Sequence, residues 1–245
     1  GEYVYFLDSD DVPRAEALWR LTQAAREKRL DMAKARFCFL NDETGELTDG
    51  AAIYPTDVLE GGALLAAQCQ SGTYEPMVWQ CVYRRAFLLE NDLRMAEGLL
   101  FEDELFQAPA LIRAKRAAAF DAVILEYRQR PGSIMASFAG SAKWCASYAQ
   151  VCARLDALAR TLPSGAARAA LQRRVGQIAL NVGKNIPAYR LPPTVAGEAM
   201  AFLKAHRWEL ARYALKSGDA AIAAQGALLL LSPKLFVGMY RRVMP

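Results

Sequence analysis

The sequence predicts an α/β amino-terminal part, residues 1–138, joined to an all-α carboxyl-terminal region, residues 139–245. Three observations predict it. Four short runs rich in β-branched and aromatic residues, at 3–7, 33–40, 77–83 and 120–128, are interleaved with stretches of helical spacing. After residue 138 strand-like runs cease and long Ala/Leu/Arg segments follow. The charge changes sign at the same place: residues 1–138 carry 15 Lys and Arg against 22 Asp and Glu, net −7, and residues 139–245 carry 15 against 4, net +11.

Taken in order, Tyr3-Val4-Tyr5-Phe6-Leu7 reads as a buried strand that ends abruptly in acidic residues. Pro13 suits the first turn of a helix, and Leu18, Leu21, Ala24 and Ala25 place that helix over about 14–30. Residues 33–40 give a second strand, and Asn41 to Gly50 reads as a hairpin or exposed loop. A helix near 57–69 is weakened by Gly61 and Gly62. A third strand spans 77–83, short helices span 85–90 and 102–114, and a fourth strand over 120–128 runs into a turn at Arg128–Gly132. The helical region divides into 139–160, 166–186, 195–216 and 219–231, with breaks at Pro163-Ser164-Gly165, Pro187, Pro192-Pro193 and Gly218.

Composition narrows the function classes. The chain has 245 residues, 53% hydrophobic and 23% charged, enough to bury a sizeable core and too apolar for a disordered chain. Five cysteines, Cys38, Cys69, Cys81, Cys145 and Cys152, form no C-x-x-C pair; buried reduced thiols in a cytoplasmic protein are the expectation, not a disulfide framework or a zinc site. One histidine, His206, cannot supply a multi-histidine metal site. No signal peptide is visible, and the longest late apolar run, Gly226–Leu231, is far short of the roughly 20 residues a bilayer span needs. Pro233–Arg242 mixes Leu235, Phe236, Val237, Met239 and Tyr240 with Lys234, Arg241 and Arg242. That composition fits a basic amphipathic helix on a membrane surface and, equally, a packing helix with solvated arginines. The basic half suits phosphates, anionic lipid or an acidic glycan, but no nucleic-acid motif accompanies it.

Three stretches bear chemistry. Phe6-Leu7-Asp8-Ser9-Asp10-Asp11 sets three carboxylates directly after a strand. Their repulsion favours a hard divalent cation such as Mn²⁺ or Mg²⁺ over a simple helix cap. Phe101-Glu102-Asp103-Glu104 places acids at a helix start, which the helix dipole alone explains. Tyr127-Arg128-Gln129-Arg130-Pro131-Gly132-Ser133 is a basic turn after a strand, suited to phosphate or carboxylate, or simply solvated.

In this order and spacing, "GEYVYFLDSDD", "VWQCVYRRAFL", "FEDELF" and "YRQRPGSI" resemble glycosyltransferase family 2, over about residues 1–138. The resemblance implies a partial GT-A fold, a Rossmann-like mixed sheet with flanking helices. It implies an inverting transfer from a nucleotide-sugar donor, a UDP-sugar foremost, to a bacterial surface glycan or lipid-linked glycan. Asp10 would bind the metal bridging the donor diphosphate, Asp8 would contact donor or metal, and Asp11 would support them. Asp103 matches the catalytic base and Glu102 flanks it. Trp79 and Arg130 are weaker candidates for acceptor or diphosphate contacts. In the family a nucleobase-holding half precedes the D-x-D strand, whereas this chain starts at that strand, so these residues alone are expected not to transfer sugar unaided.

Two other readings compete. Asp8-Ser9-Asp10-Asp11-Val12 also fits the D-x-D-x-(T/V) pattern of haloacid dehalogenase-type phosphohydrolases, with Asp8 as nucleophile and Asp10 as acid/base, although the downstream Gly-Asp turn is misplaced. The net +11 of the second half alternatively suits a non-catalytic helical protein at a membrane, on the cytoplasmic side.

Overall fold

The structure is a computed structural model that describes residues 1–50, 56–130 and 141–243. It divides into two compact units, residues 1–96 with 103–133, and residues 97–102 with 134–245. The boundary expected after residue 138 lies outside the described residues.

The first unit is built on a mixed sheet. Its strands are β1 (Tyr3–Tyr5), β2 (Val12–Pro13), β3 (Met32–Asn41), β4 (Leu47–Asp49), β5 (Cys81–Arg84) and β6 (Ala117–Gln129), in the order β1-β5-β3-β6-β2 with β4 hairpinned onto β3. β5 is antiparallel to β1 and to β3, and β3 is parallel to β6. Hence β1, β3 and β6 run the same way; β1 stops level with Ala33, and β3 and β6 continue side by side to Asn41 and Gln129. Helix α1 (Ala15–Glu27) buries Leu21 and Ala25 against the face carrying Ala33, Ala35, Phe37, Val82, Ala118, Ile124 and Leu125. Helices α2 (Gly61–Ser71), α3 (Arg85–Glu90) and α4 (Glu102–Arg113) complete the described elements.

Several details depart from the sequence expectations. Pro13 lies in β2 opposite Leu125, not in a helix; proline lacks a ladder donor and is tolerated because β2 is an edge strand. The first strand stops at Tyr5, so Phe6 and Leu7 already belong to the connection. The third strand shrinks to 81–84, because Val78–Gln80 wind into a 3₁₀ turn. The glycine that weakened the 57–69 helix instead opens α2 for a packing reason: a Cβ on Gly61 would lie 2.0 Å from the Leu111 carbonyl oxygen.

The second unit contains α5 (Ala142–Thr161), α6 (Ala166–Ala188), α7 (Pro193–Leu215), α8 (Ala220–Leu231) and α9 (Pro233–Val243). The expected breaks separate these helices, except that Pro187 falls inside the last turn of α6. Ser141 caps α5 through Trp144 N (3.2 Å), and Asp219 caps α8 through Ala221 N (2.8 Å) and Ile222 N (3.0 Å). Glycines set the helix spacing. A Cβ on Gly226 would lie 2.5 Å from the Ala214 Cβ, and one on Gly183 would lie 2.3 Å from the Phe236 ring. No helix among the described residues is long and apolar enough to cross a membrane. Cys38, Cys69, Cys81 and Cys152 are buried and unbridged. His206 is exposed, its Nδ1 3.6 Å from Glu209 Oε2.

Candidate active site

β1 and β2 are the two ends of the strand path, and Phe6–Asp11 is the chain between them. Tyr5 ends β1 at its carboxyl end, and Val12 pairs with Glu126 near the carboxyl end of β6. The acidic segment therefore runs along the carboxyl edge of the sheet, where open α/β sheets place their ligands. A turn closes it, Asp11 N donating to Asp8 O at 3.2 Å.

The segment is tied to the end of β6 by two arginines. Arg128 N donates to Asp11 Oδ1 (2.9 Å), Arg128 Nε donates to Asp10 O (2.8 Å), and Arg128 Nη1 reaches Asp42 Oδ1. Arg130 Nη2 pairs with Asp10 Oδ2 at 2.8 Å. The first and third motifs thus meet directly. Pro131, Gly132 and Ser133 lie outside the described residues.

An aromatic contact carries the first motif toward the second. Phe6 lies edge-on to Phe106 (5.4 Å between centroids) and to Tyr83 (5.7 Å), and Tyr83 lies edge-on to Phe106 (5.5 Å). Phe106 is one turn after Asp103 on α4, so it shares that helix face. Asp103 Oδ2 accepts from Val78 N at 3.4 Å, just before β5; burial raises the Cys81 thiol and the Tyr83 hydroxyl, and the Asp103 charge adds a little to both. Glu102, the first residue of α4, is half-buried and belongs to the second unit. Before it, Phe101 takes φ +64°, a costly conformation for an aromatic residue. Phe101 stacks on Tyr148 (4.0 Å), and Leu100 N donates to Ser147 Oγ (3.1 Å).

The electrostatics are those of crowded carboxylates. Asp11 is only 8% exposed, and burial pushes its carboxyl up to about 6. The Arg128 N–H opposes that rise, and the charges of Asp8 and Asp10 add to it. Asp11 Oδ2 is buried with no hydrogen-bond partner. Partial burial and the charge of Asp10 raise Asp8 as well. Burial also raises the hydroxyls of Tyr5 and Tyr127, helped in both by Asp11 and Asp8. Both rings therefore lie in the field of the acidic segment. Trp79 is 5% exposed, stacked on Tyr127 (5.4 Å) and edge-on to Phe37 (4.8 Å). Its indole forms the floor beneath Tyr127 and leaves little surface for a ligand.

The donor set fits a shared, not a caged, cation. Asp8 and Asp10 offer hard carboxylate oxygens two residues apart, and no group of three His, Cys, Asp or Glu side chains converges among the described residues. Mg²⁺ or Mn²⁺ is commonly held by one or two carboxylates completed by substrate phosphates. Sequence reasoning missed Tyr5, Tyr127 and Arg128 as parts of the site. Arg128 stood in a motif already singled out, yet its role appears only when β6 is aligned beside the acidic segment.

No protein-family model matches this sequence. The chain is 30% identical over 132 residues to YibD, an uncharacterized glycosyltransferase of Escherichia coli (strain K12); the match covers 52% of this chain and 38% of that protein. Among solved structures it is similar to S. aureus TarS 1–349 in complex with UDP-GlcNAc, with a TM-score of 0.67 and 17% identity over 99% of this chain and 66% of that one. TarS 1–349 in a second structure gives a TM-score of 0.64 and 15% identity over 99% and 65%. The chain thus spans just under two thirds of these TarS chains and well under half of YibD. Over that stretch it is homologous in sequence to a glycosyltransferase, and its mixed α/β fold with many helices is that of TarS 1–349.

Proposed function

We propose that this chain carries the D-x-D and acceptor-activating part of a family 2, GT-A glycosyltransferase that moves a sugar from a UDP-sugar or another nucleotide sugar to a bacterial surface glycan, free or lipid-linked. The observation that carries it is the meeting of the first and third motifs, some 120 residues apart in sequence, Asp10 with Arg130 and Asp11 with Arg128, while Phe6 of the first motif packs on Phe106 of the helix that carries Asp103. TarS, whose fold this chain shares, is known in complex with UDP-GlcNAc, which supports a nucleotide-sugar donor.

Asp10, with Asp8 beside it, would hold Mn²⁺ or Mg²⁺. The cation supplies positive charge to the diphosphate as it leaves. Arg130, paired with Asp10, would share that anion, since guanidinium suits phosphate as well as carboxylate. Asp11 stiffens the segment by taking the Arg128 N–H. Asp103, half-buried beside Val78, takes the proton of the acceptor hydroxyl as the new bond forms, and Glu102 flanks it. Attack from the face opposite the leaving group inverts the anomeric carbon in one displacement.

The second unit supports work at the inner face of the cytoplasmic membrane. Its segment 139–245 carries net +11, and Leu231, Leu235 and Met239, four residues apart across α8 and α9, are exposed beside Lys234 and Arg241. Binding to anionic vesicles that disappears at high salt is the expected result.

The central test is metal-dependent UDP binding by calorimetry. Asp10→Ala should abolish it, and Asp103→Asn should leave it intact. Equal loss in both variants, or UDP binding indifferent to Mn²⁺, sinks the assignment.

A further inference from the structure

We infer that the β3–β4 hairpin carries a subsite for a neutral sugar ring of the acceptor, an assignment that rests on the transferase reading above. An open cavity of about 340 Å³ lies there, lined by Phe39, Asn41, Glu46, Thr48 and Gln129. Its volume falls within the roughly 300–1,000 Å³ typical of small-ligand sites. The lining is one aromatic ring with two amides, one carboxylate and one hydroxyl. A pyranose ring matches that set: its C–H face rests on an aromatic surface, and its neighbouring hydroxyls both donate and accept, which planar amides and a carboxylate answer in pairs. No lysine or arginine lines the cavity, so its chemistry favours a neutral polyol over a phosphate.

Its position suits an acceptor. Phe39 and Asn41 lie at the carboxyl end of β3 and Gln129 at that of β6, the edge along which the acidic segment runs. Arg128 joins the two features, donating from Nε to Asp10 O and from Nη1 to Asp42, while Asp42 N donates to Gln129 O at 3.1 Å. The hairpin backbone is held in place. Asn41 Oδ1 accepts from Glu43 N (2.9 Å) and Thr44 N (3.1 Å), Asn41 N donates to Glu46 O (2.9 Å), and Gly45 turns with φ +72°. Phe39 is fixed edge-on against Phe37 (5.1 Å) and Tyr127 (6.0 Å). Among the described residues the Glu46 carboxylate and the Gln129 amide make no hydrogen bond within the chain and are free for a ligand.

The test is saturation-transfer difference NMR on the full chain with methyl glycosides of the common neutral hexoses and N-acetylhexosamines at millimolar concentration. At least one glycoside should show transfer, and the Glu46→Ala/Gln129→Ala double variant should lose at least fourfold of that signal. Thr48→Tyr, which fills the cavity from an exposed strand position, should do the same, with both variants melting like the parent. Transfer that survives both variants, or no transfer from any glycoside to the folded parent, overturns the subsite. UDP binding measured on the same samples judges the transferase reading separately: retained UDP binding without glycoside transfer rejects only the subsite.

Discussion

The sheet of the first unit places one buried aspartate near each end, and the two are treated oppositely. Asp31 lies at the amino end of β3. Its Oδ1 accepts from Arg84 Nη2 (2.8 Å) and Nε (3.2 Å), and its Oδ2 accepts from Lys115 N (2.8 Å) and Arg116 N (3.1 Å). Both oxygens are occupied, and three chain segments are pinned together. Asp11 lies at the carboxyl edge with one oxygen bonded to Arg128 N and the other buried without a partner, beside two further carboxylates. Leaving a buried polar atom unmade costs about 1–3 kcal/mol. A sheet that stabilises one end completely and leaves the other under-satisfied separates structural from reactive duties, and the motif residues fall on the under-satisfied end.

The comparison breaks if the two ends respond alike to substitution. The largest expected effect is on turnover: in a transferase assay of these residues joined to a nucleobase-holding half, Asp103→Asn should lower kcat by about 10²–10⁴-fold, the usual worth of a positioned base, while the melting temperature stays near that of the parent. A large loss of stability with retained kcat would make Asp103 a structural acid like Asp31. Next, Asp31→Ala should destabilise the first unit by about 3 kcal/mol in urea unfolding, because it strands the Arg84 guanidinium and two backbone donors. Gly61→Ala follows at about 2 kcal/mol, from a forced clash with the Leu111 carbonyl and not from any lost charge. Were Asp31→Ala milder than Gly61→Ala, the amino end would owe its stability to packing alone.

What the sequence revealed and what it hid follow the same division. The parallel strands β3 and β6 were legible as apolar runs, and the acidic segment was legible because three carboxylates in four residues are hard to explain otherwise. Ala117–Ala119 were not read as strand, because alanine has weak β preference; pairing with Met32–Lys34 at full burial overrides it. Pro13 misled because its fixed φ suits a helix start as well as an edge strand. Trp79 drew notice as a candidate contact, yet its indole is absorbed by Phe37 and Tyr127, which no local pattern announces. Arg128 and Tyr127 act on the acidic segment only because β6, far away in sequence, pairs with β2 beside it. Local chemistry shows in the sequence, whereas the groups that orient it come from topology.

The smallest effect is also the most discriminating, because it turns on sign. Burial raises Asp11 from the ordinary 3.8 to about 6. Between those values the folded protein keeps a proton that the unfolded chain has released, so stability falls as pH rises through that window and levels off above about 6. Asp11→Asn removes this dependence while leaving an amide oxygen to accept from Arg128 N. The variant should therefore match the parent near pH 4 and become more stable than it by pH 7, by up to about 1–2 kcal/mol once the unpaired oxygen is replaced by a neutral group. Asp31→Asn should show no such gain at any pH, since it gives up a bond to a guanidinium or to a backbone donor. Unfolding free energies of the two variants and the parent at pH 4, 5, 6 and 7 decide the matter. Parallel curves for Asp11→Asn and the parent would mean that the buried oxygen finds a partner in solution, and the two ends of the sheet would then differ in position but not in how they hold charge.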